Sequence, residues 1–286
     1  MSVFDGSAGG YLVPIDFLNN LQVNMVAFSG MMQVADIIQT ASGSELQIPT
    51  MDDTSNTGEF VGENADQDGS TDPNLGQVSM FAFKASSKMV KVPYELLEDN
   101  AFNLAGRMGS ILGQRLGRIK NTRFTTGTGV KQPRGLLTAS TLGVTAASAT
   151  VILFDEVFDL DASVDPAYGD NGTFMCHKNT AVHLRKKKDS TGQYLWQPSV
   201  AAGQPDTVNA KQVYYNTAFP QIATGNKVLT YGDHSKYLIR ESGVLRLRRF
   251  DERYGNVDQV AFIAFQRVDG NLIDAGTAPV KYLQMA

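Results

Sequence analysis

Apolar positions recur at intervals of three and four residues in two stretches of this chain. The first runs Ile15, Leu18, Leu21, Met25 and Phe28, opens at Pro14 and stops at Ser29-Gly30. It predicts a helix with one buried stripe and Asp16 near its positive end. The second runs Leu97, Ala101, Leu104, Met108, Leu112, Leu116 and Ile119, and predicts a long helix over 94–124 led in by Pro93. Glu95, Glu98 and Asp99 occupy its first turns, and Arg115, Arg118, Lys120 and Arg123 its last, the order the helix dipole favours. Gly106, Gly109, Gly113 and Gly117 each cost roughly 1 kcal/mol against Ala inside a helix. They mark places of close approach or bending, or else a helix broken into two.

Elsewhere the period falls to two. Residues 42–50 read as a short strand with Leu46 and Ile48 on one side, stopped by Pro49. Residues 51–77 are rich in acids, Gly and Pro, and residues 78–92 return as an extended segment carrying Phe81, Phe83, Val90 and Val92. The pair predicts a long two-stranded excursion with an acidic tip. Such a loop buries little against its own chain and needs a neighbour to settle on. Residues 154–164 predict a further helix, and 173–176, 227–231, 237–240, 244–248, 260–265 and 280–283 predict strands. In 244–248, Leu245 and Leu247 alternate with Arg246 and Arg248, giving one apolar and one basic face. The order is mixed α+β with no regular βαβ rhythm and no repeat of domain-building length.

Charge sharpens this picture. The 286 residues carry a formal net charge of −4, but residues 1–83 hold 11 acids and no Lys or Arg. Residues from Lys84 onward carry 25 bases against 18 acids. An acidic front and a basic body predict a basic partner, or a basic part of another copy of the same chain. With 42% apolar and 19% charged residues, the composition excludes a disordered tail and a membrane protein. The longest apolar run, at 260–265, is far short of the ~20 residues a membrane helix needs. No secretory signal opens the chain. Cys176 is the only cysteine, so neither an internal disulfide nor a cysteine-based zinc site is available. A dedicated nucleic-acid reader is usually basic overall, and this chain is not.

No constellation rises to an active site. Gly127-Thr128-Gly129 follows a helix and lacks the rest of a phosphate-binding fingerprint, so it reads as a turn. Asn64, Asp66, Asp68 and Gly69 imitate the start of a calcium loop, but the twelfth position is Leu75 rather than an acid. Asp233-His234-Ser235 names the residue types of a hydrolase triad, yet a triad is assembled from distant positions and no elbow presents the serine. Cys176-His177 with His183 reads as a buried thiol beside surface histidines. Arg185-Lys186-Lys187-Lys188 is a solvated basic run or a phosphate contact, and Trp196 a packing anchor. These readings predict no enzyme, metal or cofactor, and favour an interaction protein.

The segments, taken in order, resemble tailed-bacteriophage major capsid proteins with the Hong Kong 97 (HK97)-like fold. Gly9-Gly10-Tyr11-Leu12-Val13-Pro14 is similar to the opening of that family's arm, and Glu59-Phe60-Val61-Gly62-Glu63 to the acidic element of its extended loop. Val92-Pro93-Tyr94-Glu95-Leu96-Leu97-Glu98-Asp99 resembles the lead into its spine helix, and 124–137 the turn after it. Lys188-Asp189-Ser190-Thr191-Gly192 through Trp196, 231–237 and 260–270 resemble its middle and late motifs. The resemblance implies an N-terminal arm (1–44), an extended loop (45–92), a peripheral domain (93–136 and 250–286) and an axial domain (137–249). It implies hexamers and pentamers building an icosahedral shell around double-stranded DNA, assembled in the host cytoplasm. Portal and separate scaffolding or decoration proteins are its implied partners, with non-specific contact to the packaged DNA and none to a membrane. A scaffolding segment is absent from this chain, supplied separately or already removed, because the arm motif begins ten residues in. The loop tip offers no lysine for covalent cross-linking; Lys84 and Lys88 lie further down the returning strand. An encapsulin-type compartment shares the fold and is the alternative; a hydrolase at 233–235 is a remote one. The expected subunit contacts join the acids Glu59, Glu63, Asp66 and Asp68 to the bases Arg107, Arg115, Arg118, Lys120, Arg123, Arg246 and Arg248.

Overall fold

The computed structural model describes residues 29–53, 56, 60, 72–98, 104–189, 191–196, 206–274 and 276–286. The stripe at 15–28, most of the acidic tip and residues 99–103 of the long helix lie outside the described residues.

Two sheets organise the chain. The first has five strands, in the order β1 (Asp36–Thr40), β11 (Tyr237–Phe250), β12 (Gln259–Leu272) and β4 (Phe83–Ser86), with β5 (Val90–Pro93) also paired to β12. β1 runs parallel to β11, and the other pairs are antiparallel. Between β4 and β1 in sequence, β2 (Leu46–Asp52) and β3 (Asn74–Met80) pair only with each other, as a seven-residue antiparallel ribbon. Helices α1 (Tyr94–Glu98) and α2 (Leu104–Thr126) follow β5. Met108, Leu112, Leu116 and Phe124 of α2 are buried at four- and eight-residue spacing, in one core with Ile239, Leu245, Leu247, Ala264 and Val268 of the sheet.

The second sheet has six strands, in the order β6 (Thr141–Thr145), β13 (Val280–Gln284), β10 (Lys227–Gly232), β7 (Thr173–Cys176), β9 (Lys211–Tyr215) and β8 (Thr207–Val208). Its core gathers Val157 and Leu160 of α4 (Phe154–Ser163) and Ala181 and Leu184 of α6 (Lys178–Arg185) around Phe174, Tyr231 and Leu283. Glu156 starts α4 by accepting the backbone N–H groups of Leu153 at 2.8 Å and Ala147 at 2.7 Å. Short helices α3 (Leu136–Ala139) and α5 (Pro166–Gly169) complete the described helices.

Three strand readings change. Pro49 does not stop β2, which continues to Asp52 opposite Gln77. A two-stranded ribbon leaves every second N–H unpaired, so a proline there loses no ladder bond. The stretches 237–240 and 244–248 are one strand, β11, because an irregularity between Ser242 and Arg246, with Gly243 at φ +66°, lets it pair with β12 on both sides. Sheet membership also divides the chain at points other than 137, 249 and 250. β11 belongs with α2 and the first sheet, whereas β13 pairs with β10 and β6 in the second.

A buried side-chain network ties α2 to the second sheet. Asn121 Nδ2 donates to Asn216 Oδ1 at 2.7 Å, and Asn216 Nδ2 donates to Thr125 Oγ1 at 2.9 Å. Asn121 Oδ1 accepts the N–H of Met31 at 3.1 Å, which fastens the start of the described chain to the same point. The turn after α2 is closed by contact between glycines: a Cβ on Gly135 would lie 2.4 Å from Gly127 N, and one on Gly127 would lie 2.2 Å from Pro133 O. Only glycine fits at either position.

Candidate functional site

The β2–β3 ribbon leaves the first sheet with little of its own to pack against. Met51 and Leu75 are exposed on it, and Phe60, at its far end, is fully exposed. Large apolar groups on an unsupported ribbon have a reason to be there only if another surface covers them.

The base of the ribbon is held by charge. Arg240, on β11, is 2% exposed. Its Nη1 donates to the carbonyls of Met80 (2.9 Å) and Phe81 (3.3 Å), its Nη2 to that of Ser42 (3.1 Å), and its Nε to Thr40 Oγ1 (3.0 Å). One guanidinium thus bonds the chain on both sides of the ribbon. Ser242 Oγ adds a 2.7 Å bond to the Ser42 carbonyl. Asp269, the residue directly opposite Arg240 on β12, accepts the N–H of Phe81 through Oδ2 and that of Gly270 through Oδ1 at 2.8 Å. Burial raises the Asp269 pKa above the ordinary carboxylate value, while the two N–H donors and Arg240 pull it back down.

The expected bases separate into two groups. Arg107, Arg115, Arg118 and Arg123 are exposed on α2, and Arg246 and Arg248 are exposed on β11, with Leu245 and Leu247 buried beneath as the alternation predicts. Lys120 is a correction. It is 1% exposed, and its Nζ donates to Glu241 Oε1 at 2.7 Å within the same chain. Burial lowers its pKa, and the Glu241 charge opposes that shift. The spacing Leu116, Lys120, Phe124 places it on the core side of the helix, so it is not available to a neighbour. The expected acids Glu59, Glu63, Asp66 and Asp68 lie outside the described residues.

The alternative chemistries take local roles. Asp233 caps the turn at His234–Lys236, accepting the N–H of Ser235 at 3.0 Å and its hydroxyl at 2.6 Å. His234 is buried with Nδ1 2.8 Å from Thr173 Oγ1 and Nε2 3.1 Å from Thr230 Oγ1, so it faces threonines and not Ser235. Burial lowers its pKa to about 4. Cys176 is buried and its thiol pushed up to about 12, the reverse of an activated nucleophile. His177 caps α6 through an N–H from Asn179. Trp196 is buried under Arg185, whose guanidinium lies 4.9 Å from the ring centre and pairs with Asp206. Among the described residues no three His, Cys, Asp or Glu side chains converge as a metal site, and no helix is long and apolar enough to cross a membrane.

Sequence reasoning passed over Arg240 and Asp269. Neither stands out locally: Arg240 is followed by Glu241 and Ser242, and Asp269 lies among Gln266, Arg267 and Asn271, so no break in an apolar pattern marks them.

The phage capsid family profile matches residues 9–285 of the chain. Among solved structures the chain is similar to the capsid of a native GTA particle computed with C5 symmetry, at 26% identity and a TM-score of 0.79, over 91% of this chain and 90% of that one. It is also similar in fold to chains from Mycobacterium phage Bobi (14% identity, TM-score 0.68, 90% of each chain) and Microbacterium phage Oxtober96 (17% identity, TM-score 0.65, 90% and 91%). No curated protein sequence matches significantly.

Proposed function

The chain belongs to the phage capsid family and has the HK97-like fold, and we propose that it is the major head protein of a phage, associating as hexamers and pentamers into an icosahedral shell around double-stranded DNA. The observation that carries this reading is the ribbon: an excursion with Met51, Phe60 and Leu75 exposed, on a base fixed by a buried arginine. A loop built for its own subunit would bury those residues. One built for a neighbour needs a firm base and an uncovered end.

In this reading the residues ahead of β1 are the arm and the β2–β3 ribbon is the extended loop. The first sheet with α2 is the peripheral domain, and the second sheet with α4 and α6 the axial domain that surrounds a capsomer axis. Apolar burial at the ribbon supplies most of the hold between subunits, because single exposed ion pairs contribute only ~0.2–1 kcal/mol each. Repetition over a closed shell multiplies such small terms. DNA meets the inner surface through phosphates and without sequence preference. A portal, and separately encoded scaffolding or decoration proteins, complete the particle in the host cytoplasm.

Negative-stain microscopy of the purified chain tests the proposal. Closed shells of uniform diameter, disrupted by Met51→Asp with Leu75→Asp while the subunit keeps its circular dichroism spectrum, are expected. A protein that stays monomeric at every salt concentration and in the presence of candidate scaffolding partners would overturn it.

A further inference from the structure

The first sheet ends at β4, and none of the described residues pairs with the outer side of that strand. Just past it, Ser87 donates its N–H to the Ala264 carbonyl on β12 at 3.0 Å. Antiparallel pairing alternates residues that bond the partner strand with residues that bond away from it. Counted back from Ser87, Ala85 and Phe83 bond β12, while Lys84 and Ser86 direct their N–H and C=O groups outward. Such a row of open donors and acceptors is a template for one more strand.

What stands on each side of this edge selects the strand. Phe83 and Ala85 lie on the α2 side, with Val268 directly opposite Phe83. Between β4, the end of α2 and the turn that follows is a cavity of about 230 Å³, walled by Phe83, Ile119, Phe124 and Val268. Arg123 and Lys131, both exposed, also line it. Lys131 sits in left-handed backbone (φ +56°), unfavourable for a residue with a side chain, so the turn holds that charge beside the cavity against a local strain. Lys120 lines it too but is paired with Glu241. On the opposite side of the edge, Lys84 lies directly across from Arg267, with its Nζ 4.1 Å from the centre of the Phe265 ring. No acid lines the cavity, and among the described residues none of Lys84, Arg123, Lys131 and Arg267 belongs to an ion pair.

An added strand sends alternate side chains to the two sides. Apolar ones would enter the cavity, and acidic ones would face Lys84 and Arg267. A lysine on an edge disfavours pairing with a neutral or basic strand, which leaves an acidic one as the favoured partner. A nucleic-acid backbone supplies phosphates but no N–H groups for the outward carbonyls of Lys84 and Ser86. None of the described strands of this chain alternates acids with apolar residues, which favours a separate protein as the source. We propose that β4 is a peptide-binding edge: it takes an extended segment of another protein, alternating acidic and apolar residues, as a further strand of the first sheet. The site belongs to the single subunit and does not depend on the assembly reading.

Fluorescence anisotropy of a labelled, end-capped Glu-Val-Glu-Val-Glu-Val-Glu peptide with the full-length chain tests it. Saturable binding is expected, weakened at least about tenfold by Lys84→Glu and by Arg123→Glu with Lys131→Glu. These changes alter exposed side chains and should leave the thermal midpoint near that of wild type. Peptides N-methylated on one or the other alternate set of residues give a readout that charge alone would not move. One set should lose binding at least about tenfold, because its N–H groups face β4, and the other should stay within about threefold. No saturation up to about 1 mM, or equal behaviour of the two methylated peptides, overturns the proposal. So does a DNA duplex that displaces the peptide as effectively as unlabelled peptide does, which would make the site a general polyanion surface. If instead the chain self-associates in sedimentation velocity, Ser86→Pro abolishes that association and the peptide does not compete, the edge belongs to a second copy and the proposal fails.

Discussion

Arg240 and Asp269 stand opposite each other on β11 and β12, and between them they bind the chain on both sides of the extended ribbon. Replacing Arg240 by Met leaves the carbonyls of Ser42, Met80 and Phe81 without their donor and a buried carboxylate without its counter-charge. The expected loss is ~3–5 kcal/mol, the usual result of removing one partner from a buried charged cluster. Asp269→Asn keeps an acceptor for the Phe81 N–H and should cost less. Denaturant unfolding measures both. Limited proteolysis should cut Arg240→Met first within 40–82, and a midpoint equal to that of wild type would show that the arginine holds nothing.

Lys120 and Glu241 allow a cleaner separation of packing from charge. Lys120→Met strands Glu241 at a largely buried position and should cost ~3–5 kcal/mol, whereas Lys120→Met with Glu241→Gln should recover much of it. A double-mutant cycle gives the coupling. Additive losses would mean that the ion pair contributes no more than its methylene groups.

His234 makes the fold acid-sensitive. Its native pKa of about 4 lies below the ordinary 6.5, so between those values the unfolded chain binds a proton that the native chain refuses. This contribution to stability is complete above pH 6.5 and is lost as pH falls toward 4. Between pH 6.5 and 5 the loss amounts to ~2 kcal/mol. His234→Gln, which can still bond Thr173 or Thr230, should show a smaller decline over the same interval. Equal slopes for variant and wild type would rule out this origin.

Gly135→Ala tests the turn after α2. Its new methyl would fall 2.4 Å from Gly127 N and 2.7 Å from the Thr125 carbonyl, contacts that backbone cannot yield cheaply. A loss of at least ~2–3 kcal/mol, or insoluble protein, is expected. An unchanged thermal midpoint would mean that the turn has room the geometry denies.

Much of this architecture was legible in local pattern. The alternation of Leu245 and Leu247 with Arg246 and Arg248, and Arg123 in the last turn of α2, are short-range properties, and each maps onto a structural feature. What escaped depends on partners distant in sequence. Gly243 interrupts the local strand pattern, and only the pairing with β12 on both sides of it makes 237–250 one strand. Lys120 reads as a surface charge by its type, whereas its four-residue spacing from Leu116 and Phe124 puts it on the core side. Arg240 and Asp269 stand beside other polar residues, and their burial follows only from the closed sheet. One pocket of the first sheet joins Lys84, Arg246, Arg248 and Arg267, which no window along the chain would bring together.

The position of β13 sets the timing of folding. It comes last among the strands, yet it lies between β6 and β10 in the second sheet. During synthesis β6 emerges some 135 residues before its partner and, at ~5–20 residues per second, waits on the order of ten seconds for it. Until then β10 and β6 each have an open flank, and the second sheet cannot close. A nascent chain is therefore a poor building block, and subunits become competent only once that strand has left the ribosome. Strand order thus acts as a clock that keeps half-made copies out of the growing particle.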